Sequence, residues 1–226
     1  MASGNNFGKA LIATGQKLKP TAGGAMRKVL EVAIDGAAGV PSAKEAASSH
    51  LGKKSDRDQA IDALVTQHIA LAGAQGFATN LGGLVTMAVT LPANLAGVAV
   101  IQCRMVAAIA HLRGYDLDDN RVRSAILMCL LGESSATELI TAGDLPSTPM
   151  AIATAPVFDR DLDLTVSNHV LGQLLQQLGG KRIGVLLARR IPVVGGGVGA
   201  ATDGWATFQV ASYARAEFVD RRHRAQ

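Results

Sequence analysis

Several groups of residues in this sequence have types and spacings that would support chemistry, and each implies a different reaction. Gly195, Gly197 and Ala200 follow the apolar run Ile191 to Val194 in the order G-x-G-x-x-A, with Glu217 further on. That is the form of a dinucleotide fingerprint, where glycines let a pyrophosphate approach the backbone at a helix N-terminus. Pro192 interrupts the strand such a motif needs, and too little chain follows Ala200 to complete a βαβ sheet. Helix packing through small residues is the better account. Gly132, Ser134 and Ala136 outline a nucleophile elbow, which His169 with Asp161 or Asp163 would complete as a serine hydrolase. The residues before Ser134 read as helix instead of strand, so the serine is expected to serve as a cap.

Asp116, Asp118 and Asn120 have the first spacings of a calcium loop. Its sixth and twelfth positions are Arg121 and Leu127, which supply neither the turn nor the bidentate carboxylate. His50, His68, His111, His169 and His223 show no paired metal-ligand spacing. The expectation is a chain without enzymatic activity, metal site or cofactor.

A different kind of site is implied by polar residues within apolar helical runs, because each must find a partner or bear a desolvation cost. Asn94, Gln102, Arg104 and His111 lie on one such run, and Asp203 is the only charge between Ile191 and Ala214. These five are the candidate ligand-binding residues, with Arg104 and Asp203 as a plausible pair; a buried network that fixes helix register is the structural alternative.

The elements that must carry these residues are helices. From Ala63 to Cys103 there is no Lys, Arg, Asp or Glu. Ile61, Leu64, Val65, Ile69 and Ala72 fall on one helical face, predicting a helix to about Thr79. Asn80, Gly82 and Gly83 then turn the chain into a second run, Leu84 to His111, which is apolar on every side and so belongs in a core or in lipid. Leu81 to Cys103 is long enough for one membrane crossing of about 20 residues. Pro92, Asn80, Asn94 and Gln102 interrupt that run, and a buried helical hairpin is the expectation.

Around this hairpin, Met26, Val29, Leu30, Ala33, Ile34 and Ala37 predict a helix ending at Gly36 to Gly39. Ser42 with Glu45 forms a capping box, and Ser55 with Asp58 repeats the pattern. Gly114 reads as a helix terminus, and Asp118 or Asp119 as the cap of a helix over Val122 to Leu131. Residues 142 to 160 read as irregular. A helix from Leu162 to Leu178 should stop at Gly179 and Gly180, followed by a short helix over Ile183 to Ala188 and a long glycine-rich one over Val193 to Val219. In that last helix Gly195, Gly199 and Gly204 are expected to let another helix backbone approach closely, within the chain or in a homo-oligomer. No period-two alternation predicts a strand. The fold class is therefore all-α: an amphipathic segment at 1–20, one helical domain over 21–220 and a basic tail at 221–226.

Composition agrees with this organisation. The 226 residues are 48% hydrophobic but only 4% aromatic, so the core must be built from Ala, Leu, Val and Ile. The net charge of +4 is dispersed, with no focused basic face and no interleaved aromatic residues, which argues against a nucleic-acid partner. An anionic membrane surface or a lipid remains compatible with it. Met1 to Gly15 has no continuous apolar core of a secretory signal. Cys103 and Cys129 lie in apolar runs and are expected as buried thiols.

Two segments, Leu91 to Asp119 and Ile191 to Phe218, together resemble the EcsC protein family. The likeness is carried by Leu91, Pro92, Gln102, Arg104, Ile109, Ala110, Gly114, Tyr115 and Asp116, then by Ile191, Pro192 and Gly195 to Gly199. Asn94 stands where the family often has an acidic residue. The resemblance implies a bacterial, largely helical protein, cytoplasmic or peripheral at the inner membrane. It further implies no established enzymatic activity and an association with an exporter. The functional expectation is a membrane-associated accessory protein that binds lipid or another apolar ligand between helices. A structural or oligomerisation module and an exporter-associated partner are the alternatives.

Overall fold

A computed structural model describes residues 22–37, 41–54, 56–81, 93–188 and 192–221, with the backbone alone at 22–23, 75–81, 93–95, 177–188 and 192–200. The amphipathic segment 1–20 and the tail beyond Arg221 lie outside these residues. The chain forms helices α1 (Ala22–Asp35), α2 (Ala43–Leu51), α3 (Arg57–Leu81), α4 (Ala93–Leu112), α5 (Asn120–Cys129), α6 (Gly132–Ala142), α7 (Pro149–Ala153), α8 (Arg160–Ala188) and α9 (Pro192–Glu217). Among the described residues no strand occurs, and the fold is all-α.

The hairpin of α3 and α4 is the centre of the bundle. Every residue of α4 from Ile101 to Ala110 is buried, because α1, α2, α3 and α9 all pack around it. An apolar surface on every side is what such a position requires, and the alanines Ala99, Ala107, Ala108 and Ala110 bring the neighbouring backbones close. The core runs without a break from Met26 to Phe218.

Local chemistry sets several helix ends. The Ser42 hydroxyl accepts from Glu45 N at 3.1 Å while the Glu45 carboxylate accepts from Ser42 N at 2.7 Å, the reciprocal capping box. Ser55 lies outside the described residues, and Asp56 caps α3 by accepting from Gln59 N. Asp119 caps α5, and Gly36 and Gly114 take the left-handed conformation that ends the helices before them.

One helix was not anticipated and two expectations are corrected. The chain between Leu131 and Gly143 is the helix α6, which begins at Gly132 with φ +74° and lies bent by 110° from α5. The segment 142–160 contains the short helix α7, with Pro149 at its first turn, where a missing N–H costs nothing. Gly179 and Gly180 do not stop α8, which continues to Ala188. The second helix of the central hairpin is described from Ala93, so the expectation for Leu84 to Pro92 lies outside the described residues. Among those described, no single helix is long and apolar enough to cross a membrane.

Candidate functional site

The polar residues picked out in the sequence do not all meet. Gln102 and Arg104 are buried on α4 and Asp203 is buried on α9, at one level of the bundle. His111 is half-buried seven residues further along α4, about 10 Å away along the axis. Asn94 belongs to α4, but its side chain lies outside the described residues.

Two residues that sequence reasoning passed over complete the layer. His68 on α3 and Thr207 on α9 are buried, at 1% and 0% exposure. The Gln102 amide donates to the Thr207 hydroxyl at 3.2 Å, and that hydroxyl donates to the Asp203 carbonyl one turn earlier at 2.8 Å. The Arg104 Nε donates to His68 Nε2 at 3.1 Å, while His68 Nδ1 donates to the Leu64 carbonyl at 2.8 Å. These two bonds define one neutral tautomer: Nδ1 carries the proton and Nε2 is the acceptor. Burial first, and then the Arg104 charge, push the His68 pKa down to about 4.

Arg104 keeps only 6% of its surface exposed, and burial lowers its pKa from the ordinary value. A guanidinium nonetheless stays protonated at neutral pH. Among the described residues the partner that Arg104 meets is His68, through its Nε, and the expected ion pair with Asp203 is not among the salt bridges found there. The one signal in the sequence that marks His68 is its position inside the charge-free stretch Ala63 to Cys103.

This layer divides two unlike ends of the bundle. Helices α3 and α9 are antiparallel, since Arg57 pairs with Asp220, Asp62 with Arg215, and Gly204 lies against Ile69. Helices α3 and α4 are antiparallel as well, with Asp58 on Arg113 and His68 on Arg104. On one side of the layer the helix ends are closed by those ion pairs, by Tyr115 edge-on to Phe218 at 4.9 Å and by Arg221 over the Tyr115 ring at 5.2 Å. On the other side run the second half of α3, the start of α4 and the start of α9. No charged residue occurs in the sequence from Ala63 to Cys103 or from Ile191 to Thr202. The chain enters α9 through Arg189 and Arg190, and between Asp163 and Asp203 it carries cations but no Asp or Glu.

The other sequence candidates have local partners. Ser134 does not cap a helix as expected: it is exposed within the first turn of α6, whose N-cap is Leu131, with its hydroxyl 3.4 Å from Glu138. Asp163 is engaged by Arg27 and by the Ser124 hydroxyl at 2.7 Å. Asp116 accepts from Asp118 N at 3.0 Å, as a turn residue does, and Asp119 is tied to Arg121. Gly195, Gly197 and Ala200 are helical residues of α9. Gly195 and Gly199 are described in backbone only, while a methyl group on Gly204 would stand 3.6 Å from Ile69 Cγ2. Among the described residues no His, Cys, Asp and Glu side chains gather as a metal site would need. A shallow groove of about 230 Å³, lined in part by Ser124, Ile152, Phe158 and Leu162, is largely apolar. On the exposed side of α9, Trp205 and Phe208 stack with ring centroids 5.6 Å apart.

Among known proteins, neither the curated sequences nor the solved structures compared with this chain include one that matches it. A sequence model of the EcsC protein family matches residues 7–222, nearly the full length. The chain belongs to the EcsC protein family.

Proposed function

We propose that the protein is a non-enzymatic accessory protein of the inner-membrane surface, which engages anionic lipid through one end of its helical bundle. The observation that carries this reading is the segregation of charge along the bundle axis. One end closes on paired charges, Arg57 with Asp220 and Asp62 with Arg215. The other is served by stretches without any charge, and the chain leading into it contributes Lys181, Arg182, Arg189 and Arg190 with no acidic residue nearby in sequence. Charge-free stretches next in sequence to a run of cations suit a negatively charged leaflet, where each Lys or Arg near the surface adds about 1 kcal/mol.

Flotation of the purified chain with vesicles tests the reading. Recovery with phosphatidylglycerol-containing vesicles, weakening as salt rises, is the expected result. Failure to float with either those vesicles or pure phosphatidylcholine overturns it. In cells, release from the membrane by a carbonate wash is expected of a peripheral protein.

A second reading is favoured by the Trp205 and Phe208 stack, which leaves Trp205 63% exposed. A protein partner or a second copy would cover such a pair. A concentration-dependent mass in light scattering, abolished by Trp205→Ser, would support self-assembly through α9.

A further inference from the structure

We propose that the exposed face of α9 is the contact surface for a second copy of this chain, with the two α9 helices packed antiparallel about a two-fold axis between Ala206 and Thr207. The inference rests on the self-assembly reading of the Trp205 and Phe208 stack and gives it a partner and a register.

What α9 shows to solvent is the starting point. Ala201, Trp205, Phe208 and Ser212 are all exposed, and their spacing of four, three and four sets them in one stripe along the helix. The outward face of a helix in water ordinarily carries charge. Here no exposed residue of α9 from Ala201 to Ala216 is charged. Asp203 is buried, and Arg215 is engaged by Asp62 of α3. Helix α3 lies alongside, with Gly204 against Ile69, and its exposed residues from Ala63 to Ala74 are uncharged as well. An aromatic pair on a surface depleted of charge has the composition of an interface core.

The lack of charge also selects the occupant. A helix that lies on an anionic leaflet sets Lys and Arg beside its apolar stripe. A foreign protein is selected by complementary charge. This face carries neither device. A second copy needs neither, because an uncharged surface meets itself without like-charge repulsion in an isologous contact.

Register follows from side-chain size. About the point between Ala206 and Thr207, Trp205 is the counterpart of Phe208 and Ala201 that of Ser212, so the stripe reads small, aromatic, aromatic, small in both directions. In an antiparallel pair the rings of both copies cluster at the axis, and Ala201 and Ser212 let the flanking turns approach. A parallel pair would continue the stripe to Arg215 and bring two copies of that cation together. The seam from Ala201 to Ala216 is about 24 Å long, and with α3 beside α9 each copy offers a strip about 20 Å wide. Roughly 1,000 Å² would be buried in all, at the lower limit of a specific interface. The dimer is therefore weak, with a dissociation constant on the order of 10 µM.

The test uses the full chain. It contains a single tryptophan, so its fluorescence reports Trp205 alone. Dilution through the expected constant should red-shift that emission as the mass in light scattering falls from dimer to monomer. Cys103 and Cys129 are buried, which makes the parent chain the blank for cross-linking. Two variants, Ala201→Cys and Ser212→Cys, are treated with a short bis-maleimide. Their mixture is expected to give a covalent dimer and each alone is not, since two copies of one position lie about 17 Å apart along the axis. Cross-linking of either variant with itself as efficiently as in the mixture overturns the antiparallel register and leaves self-assembly through α9 standing. A monomer at every concentration overturns both. Self-association that is unchanged in Trp205→Ser places the interface elsewhere and also overturns both. A blue shift of Trp205 that appears only with phosphatidylglycerol-containing vesicles assigns the face to lipid and overturns the proposal. The substituted positions are all exposed, and circular dichroism of each variant confirms that the helices are intact.

Discussion

Two buried polar clusters in this bundle treat charge in opposite ways. Between α1, α5 and α8, the Asp163 carboxylate receives Arg27 and the Ser124 hydroxyl, so charge and lone pairs are both answered from within the chain. Between α3, α4 and α9, Arg104 is as deeply buried but is met by a neutral imidazole. An ion pair of this kind needs no function beyond holding three helices in register, even with the Arg27 Nε buried without an acceptor. The Arg104 cation is held instead by a hydrogen bond to a ring that carries no opposing charge. The difference between the two is what makes the second cluster a candidate site.

The largest way to probe that difference is acid. His68 is held neutral in the folded chain, with its pKa lowered from 6.5 to about 4. The unfolded chain takes up this proton near pH 6.5 and the folded chain does so only near pH 4. Stability is therefore complete above pH 6.5 and falls as pH drops through that window, by roughly 3 kcal/mol in total. Urea unfolding of the parent and of His68→Gln at each pH isolates this contribution from that of other groups. If the two lose stability in parallel, the ring is not held neutral by the Arg104 layer.

The complete cluster should respond to loss of its anion. In Asp163→Leu, Ser124 and Arg27 lose their acceptor, and breaking a fully buried pair costs about 3–5 kcal/mol. Arg27 keeps 36% of its side chain exposed and recovers part of that through water, so about 2–3 kcal/mol is expected by chemical denaturation. The Arg104 cluster should respond in the other direction. Replacing Arg104 by Met removes a buried charge and fills similar volume, at the cost of the bond to His68. A gain of about 1 kcal/mol is expected. A loss as large as that of Asp163→Leu would mean that Arg104 is compensated after all, and the contrast between the clusters would fail.

How much of this was legible in the sequence follows from the range of the interactions. The Ser42–Glu45 capping box and the Asp119 cap were readable because both partners lie within three residues. The all-helical class and the central position of α4 were readable from period and from an apolar surface on every side. The helix α6 was missed because nothing but a left-handed Gly132 separates it from α5, with no proline or polar cluster to mark the bend. The continuation of α8 through Gly179 and Gly180 was missed because glycine propensity opposes a helix only weakly, at about 1 kcal/mol per residue. Elongating a helix already several turns long needs no new nucleus. In the site, Arg104 and Gln102 stood out as polar residues in an apolar run, but their partners come from other helices. His68 is 36 residues away in the chain from Arg104, and Arg27 is 136 from Asp163. Such pairings depend on which helices become neighbours, which local pattern does not encode.

The smallest expected effect concerns the helix pair that encloses the candidate site. Gly204 faces Ile69 where α9 crosses α3, and in the sequence it reads as a residue whose smallness lets the two backbones approach. A methyl group there would stand 3.6 Å from Ile69 Cγ2 and 4.0 Å from the Ile69 carbonyl oxygen, ordinary van der Waals distances. The pair can therefore accept Gly204→Ala without moving, and the substitution restricts the unfolded backbone while raising helix propensity. A gain of up to about 1 kcal/mol is expected, read as a higher urea midpoint with an unchanged slope. A loss would show that α3 and α9 approach more closely than these distances, and that the glycine is needed for packing.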